Sequence, residues 1–324
     1  MWGPDGCEER LSLAGEMLEL AQRAGDRELA LQARNWRVVD LLELGDGHAV
    51  RDEIAAYAEL SAQVRVPAFA WYVPLWRATL ALLAGRIADG LALSRRAREL
   101  GRHAGDANAE VFFAEQYLLR MVVQGRMRDV DPSVDGIEVP ERAERGPAWR
   151  AYRFTFAWWH AERGEREQAR QDFEAAIADG FSSLPRDVNW LAALASAAEA
   201  CVLLEDVERA RELRALLEPY ADRMMVTARG ASHGGSAAYY AARVAALEGD
   251  SAAADRLFAQ AARRDREAGA MALVVRDLLR HGEFLQAAGD SGRARGLLRA
   301  AAERAAAIGL PTDETRELGH EAGY

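Results

Sequence analysis

Apolar residues recur at i, i+3 and i+4 through most of the sequence, the spacing that places them on one face of a helix. The pattern predicts helices over 31–44 and 54–64, then over 71–84 and 87–103. A punctuation interrupts the apolar runs at a steady interval. It reads as an apolar helix end, then Gly or an acidic residue, then a polar start to the next helix. It falls at Leu44-Gly45-Asp46, Ala84-Gly85-Arg86, Gln124-Gly125-Arg126, Arg163-Gly164-Glu165, Glu205-Asp206-Val207, Glu248-Gly249-Asp250 and Ala288-Gly289-Asp290. Successive central positions lie 40, 40, 39, 42, 43 and 40 residues apart. A period of this size is the signature of stacked helix pairs. The expected fold class is all-α, a right-handed α-solenoid of about seven helical hairpins.

A second set of turns separates one pair from the next. Ala24-Gly25-Asp26 returns as Ala104-Gly105-Asp106, and Gly269 and Gly309 hold the matching place near the C-terminus. Nine residues before the turn position stand Trp36, Trp76, Ala197 and Tyr240. Two readings follow: an aromatic ladder along a groove, or one face of each pre-turn helix packed on its neighbour. Large aromatics dominate packing surfaces, which favours the second.

Two stretches break the period. Prolines 132, 140 and 147 crowd the segment 126–150 and prevent a full second helix there. The expected organisation is therefore N-terminal helical repeats over 1–125, an irregular Pro-rich junction and hinge over 126–150, C-terminal repeats over 151–312, and a tail over 313–324. The second stretch, Pro219 to Ser236, carries Gly230, Gly234 and Gly235 and reads as a loop inserted between two helical units.

Composition narrows the function classes. Hydrophobic residues make up 50% of the 324, enough for a continuous core, and the net charge is −10. That balance opposes a nucleic-acid surface, which needs a basic stripe to displace counterions. Every basic residue besides the six His is Arg, so the phosphate-binding Lys of a P-loop is missing. Cys7 and Cys201 are too few and too far apart for a disulfide framework or a structural metal site. No secretory signal opens the sequence, and the longest apolar stretch, 190–204, is too short to span a bilayer. The expectation is a cytoplasmic protein without cofactor or metal.

Candidate chemistry is sparse. Gly230-Ala231-Ser232-His233-Gly234 matches the G-x-S-x-G pattern of a nucleophile elbow, which requires a strand before the Ser and a helix after it. Nothing upstream reads as a strand, so Ser232 as a hydrolase nucleophile is the minor alternative. His48, His103, His160, His233, His281 and His320 are scattered without the paired spacing of a helix-borne zinc site. The densest aromatic cluster is Trp149, Tyr152, Phe154, Phe156, Trp158 and Trp159. In 181–191, Pro185 breaks any helix, Asp187 or Asn189 caps the next one near Trp190, and Arg186 with Asp187 forms a local ion pair or a recognition patch.

In order and spacing, several segments resemble the C-terminal tetratricopeptide-like region of large bacterial ATP-binding transcriptional regulators, of the LuxR-type and cyclase-associated kinds. They are 36–45, Tyr72-Val73-Pro74-Leu75-Trp76-Arg77, 82–86, 105–110, 181–191, Leu216-Leu217-Glu218-Pro219-Tyr220 and 235–240, and the likeness extends to Gly289 and Leu310-Pro311. The resemblance implies a sensing and interaction array, without the nucleotide-binding and DNA-binding modules and their catalytic roles. The expected function is non-enzymatic: a concave groove of pre-turn helices engages a protein, a peptide or a small effector. The candidate surface is Trp76, Arg77, Trp158, Trp159, Arg186, Asp187, Asn189 and Trp190, with Arg for bidentate contacts and Trp for apolar area. A homo-oligomeric scaffold joined through the first and last units, near 11–20 and 297–308, is the alternative.

Overall fold

The computed structural model describes residues 3–131 and 147–311; the tail at 313–324, His320 within it, Pro132 and Pro140 lie outside them. Helix dominates, as the apolar periodicity predicts. In chain order the helices are α1 (Cys7–Ala24), α2 (Arg27–Leu44), α3 (Gly47–Val64), α4 (Pro67–Ala70), α5 (Tyr72–Leu83), α6 (Ile87–His103) and α7 (Asn108–Val123). After the junction come α8 (Pro147–Glu162), α9 (Arg166–Ala176), α10 (Trp190–Leu204), α11 (Val207–Leu217), α12 (Ala237–Leu247), α13 (Ser251–Glu267), α14 (Met271–Ala287) and α15 (Ser291–Ala307). No helix among the described residues is long and apolar enough to cross a membrane.

Each periodic punctuation ends a helix, and the local chemistry explains why. Gly45 ends α2 at φ 72, and the amides of Gly45 and Asp46 bond back to the Leu42 and Leu41 carbonyls. Where the residue that follows is Asp, it caps the next helix. Carboxylates of Asp46, Asp206, Asp250 and Asp290 accept from the amides of Ala49, Arg209, Ala253 and Arg293. Each such cap contributes about 1 kcal/mol. The Gly-Asp word is thus a helix stop fused to a helix start, and it turns the chain through a hairpin. Glu205 takes the left-handed position in the one unit that lacks Gly there, at φ 62.

Of the expected junction over 126–150, the described residues are 126–131 and 147–150. Met127–Asp129 form one 3-10 turn. Residues 147–150, in contrast, are the first turn of α8. Proline suits that position because a first-turn amide has no intrahelical acceptor to lose.

The inserted segment corrects the purely helical expectation. After a 3-10 turn at Glu218–Tyr220 the chain forms β1 (Met224–Thr227) and β2 (Ser232–Ser236), an antiparallel pair with a bulge between Met225 and Val226. Strand β1 is Met-Met-Val-Thr with its first three residues buried, so it lacks the in-out alternation that marks a strand in sequence. Five pre-turn helices, α2, α5, α7, α10 and α12, touch this hairpin or the turn at its tip. The aromatic ladder faces it. The Trp76 indole N–H donates to the Arg229 carbonyl at 2.8 Å, the Tyr240 hydroxyl donates to the Gly234 carbonyl at 2.8 Å, and the Arg229 guanidinium lies 5.5 Å from the Trp36 ring. Both readings of the ladder therefore meet: it lines an inner face, and the chain's own hairpin packs there.

The sequence halves are also joined directly. Thr79 Oγ1 lies 2.9 Å from both the Gly230 and Ala231 carbonyls, and Arg264 donates to the Leu44 carbonyl at 2.7 Å. Arg223 pairs with Glu8 at 2.6 Å, and α14 packs on α5 and α7.

Candidate functional site

A cavity of about 110 Å³ lies where α7, α8 and α10 meet the hairpin. Leu118, Val122, Met127, Trp158 and Met225 supply its apolar wall. The polar groups gather at two places. Thr155 and Ser196 hydroxyls sit 3.2 Å apart on facing helices, with Asn189 at the start of α10 nearby on the wall. At the other place, Glu115 of α7 accepts from the Thr227 hydroxyl of β1, with the Tyr152 hydroxyl of α8 and the Ser232 hydroxyl of β2 beside it. The Thr227 contact is 3.4 Å.

Glu115 is the only ionisable carboxyl, and Tyr152 and Tyr240 the only other titratable groups, among the described residues that line this cavity. Burial pushes the Glu115 carboxyl above its ordinary value, while the three hydroxyls pull the other way by solvating the anion. Burial and the facing carboxylate push the Tyr152 phenol up, so it remains a donor. A half-buried acid in a cleft, with hydroxyls beside it, is the kind of group around which binding sites form.

The hairpin also separates Ser232 from its neighbour. Successive side chains on a strand point to opposite faces, so Ser232 looks into the cavity and His233 looks away from it. The His233 ring is 1% exposed and its Nδ1 accepts from the Gly235 amide at 3.2 Å. The expectation that no strand precedes Ser232 is corrected by β1. Ser232 nevertheless begins a strand rather than ending one, and the helix follows only at Ala237. The strand-Ser-helix order of an elbow is therefore not met.

Burial lowers the His233 imidazole to about 4. The folded value lies below the unfolded one of about 6.5, so the unfolded chain binds the extra proton and stability falls as pH drops through this window. The expected loss between pH 7.5 and 5 from this residue is about 2 kcal/mol. Urea unfolding of His233→Asn at both pH values should show a pH-dependent difference smaller by that amount. An unchanged difference would mean that the ring is not held neutral.

The residues singled out from sequence scatter. Trp158 and Asn189 both line the cavity, and the Trp158 indole N–H donates to Glu162 at 3.2 Å. Trp159 packs beside His160 and under Arg163, and His160 Nδ1 bonds Asp172 at 3.0 Å. Trp76 is 0% exposed and belongs to the core, whereas Arg77 is exposed on α5. Arg186 pairs with Asp5 at 3.0 Å rather than with Asp187, also bonds the Tyr220 hydroxyl, and lies 4.3 Å from the Trp190 ring. Trp190 is only 3% exposed. Asp187 accepts from the Asn189 amide at 2.8 Å, so the turn before α10 is closed by Asp187, and the Asn189 side chain makes no cap. The patch at 186–190 is thus engaged by the chain's own N-terminal segment and Tyr220.

Sequence reasoning missed Glu115, Tyr152 as its donor, and Thr227. A signal existed for the first: Glu115 is the lone acid within the apolar run 111–119. A second missed cluster is Cys7, Asp40 and Glu43, buried with their ligand atoms within 4.8 Å of one another. Arg10 already supplies the positive charge there, at 2.9 Å from Asp40 and 2.5 Å from Glu43. Burial pushes Glu43 up to about 7 and raises the Cys7 thiol further from ionisation, so the cluster reads as an ion pair. No protein-family model matches the chain, and the search of curated proteins returned no match.

Proposed function

We propose that the chain is a non-enzymatic sensor: a tetratricopeptide-like right-handed solenoid of about seven helical hairpins that closes on its own β-hairpin and holds a small effector inside. The cavity around Glu115 carries this reading. Its wall comes from both sequence halves and from both strands, so an occupant there would bias how the halves and the hairpin sit together. The inner face is already occupied by the hairpin, which favours a small molecule over a peptide or a protein helix. The resemblance to the helical-repeat region of bacterial transcriptional regulators supports a regulatory role, as part of such a regulator or derived from one, in the cytoplasm.

Native mass spectrometry of protein purified gently from its own cells tests this. The expected spectrum shows the chain plus a small-molecule mass, and Ala192→Phe, which fills the cavity from the α10 wall, carries none. A bare chain, together with a small-molecule library that never raises the melting temperature, would sink the sensor reading. The same spectrum reads the second possibility, a homo-oligomer. Leu13 and Leu20 stand exposed on α1, and pairing through them would give multiples of the chain mass.

A further inference from the structure

The chemistry of the cavity narrows what it holds, given the sensor reading above. This chain pairs its buried carboxylates with Arg almost as a rule. Asp40 and Glu43 meet Arg10, Glu53 meets Arg34 and Arg37, Glu199 meets Arg243, and Asp265 and Asp277 meet Arg276. Glu115, half-buried on the cavity wall, has no such partner. Among the described residues no Arg or His forms an ion pair with it, and no cation lines the cavity. The Thr227 hydroxyl bonds Glu115, and the Tyr152 and Ser232 hydroxyls stand beside it, so its neighbours are neutral groups on three separate elements. A carboxylate drawn partly out of water without a cation is left under-solvated, which neighbouring hydroxyls only partly offset. A site of this make-up is complementary to a cation supplied from outside.

We propose that the cavity binds a small primary amine whose ammonium pairs with Glu115 and whose apolar body is a single ring or short branched chain. An ammonium brings three donors. Glu115 accepts one or two, and the hydroxyls of Thr227 and Ser232 can turn from donor to acceptor for the rest. Trp158 and Tyr152 both line the cavity, and an aromatic ring there adds attraction for a cation that meets its face. Leu118, Val122 and Met225 cover the body. Size sets the limit: a cavity of about 150 Å³ accommodates benzene, whereas this one holds about 110 Å³ and is open to solvent on one side, so a single ring enters with part of it in the mouth.

Titration calorimetry with three ligands of matched shape decides the matter: benzylamine, neutral ethylbenzene and anionic phenylacetate. Benzylamine is expected to bind the wild-type chain at least about tenfold more tightly than ethylbenzene, with phenylacetate not binding, because a desolvated charge pair contributes over 1.4 kcal/mol. Glu115→Gln keeps the shape and is expected to remove the amine's advantage while leaving ethylbenzene unchanged. Equal binding of benzylamine and ethylbenzene by the wild type overturns the amine proposal and leaves the cavity reading standing. Binding of none of the three overturns both. The wild-type comparison decides even if Glu115→Gln fails to fold.

Discussion

Replacing Arg276 with Met is expected to lower the unfolding free energy by about 3–5 kcal/mol, since it strands two buried carboxyls. Asp265 and Asp277 are both fully buried, and Arg276 lies 3.5 Å from the first and 3.0 Å from the second. Burial and the neighbouring Asp277 charge push the Asp265 carboxyl well up, and burial pushes Asp277 up as well. Arg276 is the cation that faces both. It also donates to the Gly234 carbonyl at 3.0 Å and lies 3.6 Å from the Tyr239 ring, while Asp265 accepts from the Ser236 amide at 2.8 Å. The cluster thus holds β2 from behind the cavity. Gly235 allows the approach: it sits at φ 91, and a Cβ there would fall 2.8 Å from both Asp265 Oδ2 and an Arg276 nitrogen. Urea unfolding measures the loss. Adding Asp277→Asn to Arg276→Met should recover part of it by removing the unbalanced charge. A loss under about 1 kcal/mol, the ordinary size for an exposed pair, would refute this account.

Truncating Trp76 to Ala is expected to cost a further well-defined amount, about 3–5 kcal/mol. The ring meets Tyr57 edge-on at 4.8 Å and lies 5.4 Å from Tyr72. Its N–H holds the hairpin tip, where Ala228 and Arg229 take left-handed conformations at φ 51 and 53 that side chains disfavour. Losing Trp76 therefore removes buried apolar area and one restraint on a strained turn. A groove-facing Trp would give a surface-sized effect, within about 0.5 kcal/mol. Denaturant unfolding separates the two, and a small effect would return Trp76 to the list of binding candidates.

These two positions show how unevenly the sequence spoke. Trp76 was visible from its register, nine residues before a turn, but the register could not say what the ring would touch. Its contact, the Arg229 carbonyl, lies 153 residues away. Arg276 and Asp277 gave no signal at all, because charged residues on an amphipathic helix ordinarily face water. Only the approach of β2 to α13 and α14 makes that face interior. Glu115 lay between these cases, an acid in an apolar run whose purpose depends on hydroxyls from α8 and both strands.

The helices and their hairpin turns were determined by the sequence alone. Apolar periodicity, a left-handed Gly and a capping Asp act within a few residues of one another, so their outcome is local. The helix bounds over 87–103 agree residue for residue. What only the tertiary structure decided is how the two halves meet. The β-hairpin between α11 and α12 is short, its first strand is buried without alternation and its second is Ser-His-Gly-Gly-Ser with no apolar residue, so no local pattern announces it. It is held by packing from α2, α5, α7, α10, α12 and α13, and the contacts from α2, α5 and α7 span more than a hundred residues of chain. The candidate site is built at that junction, and long-range packing, which carries no periodic signature, is what assembled it.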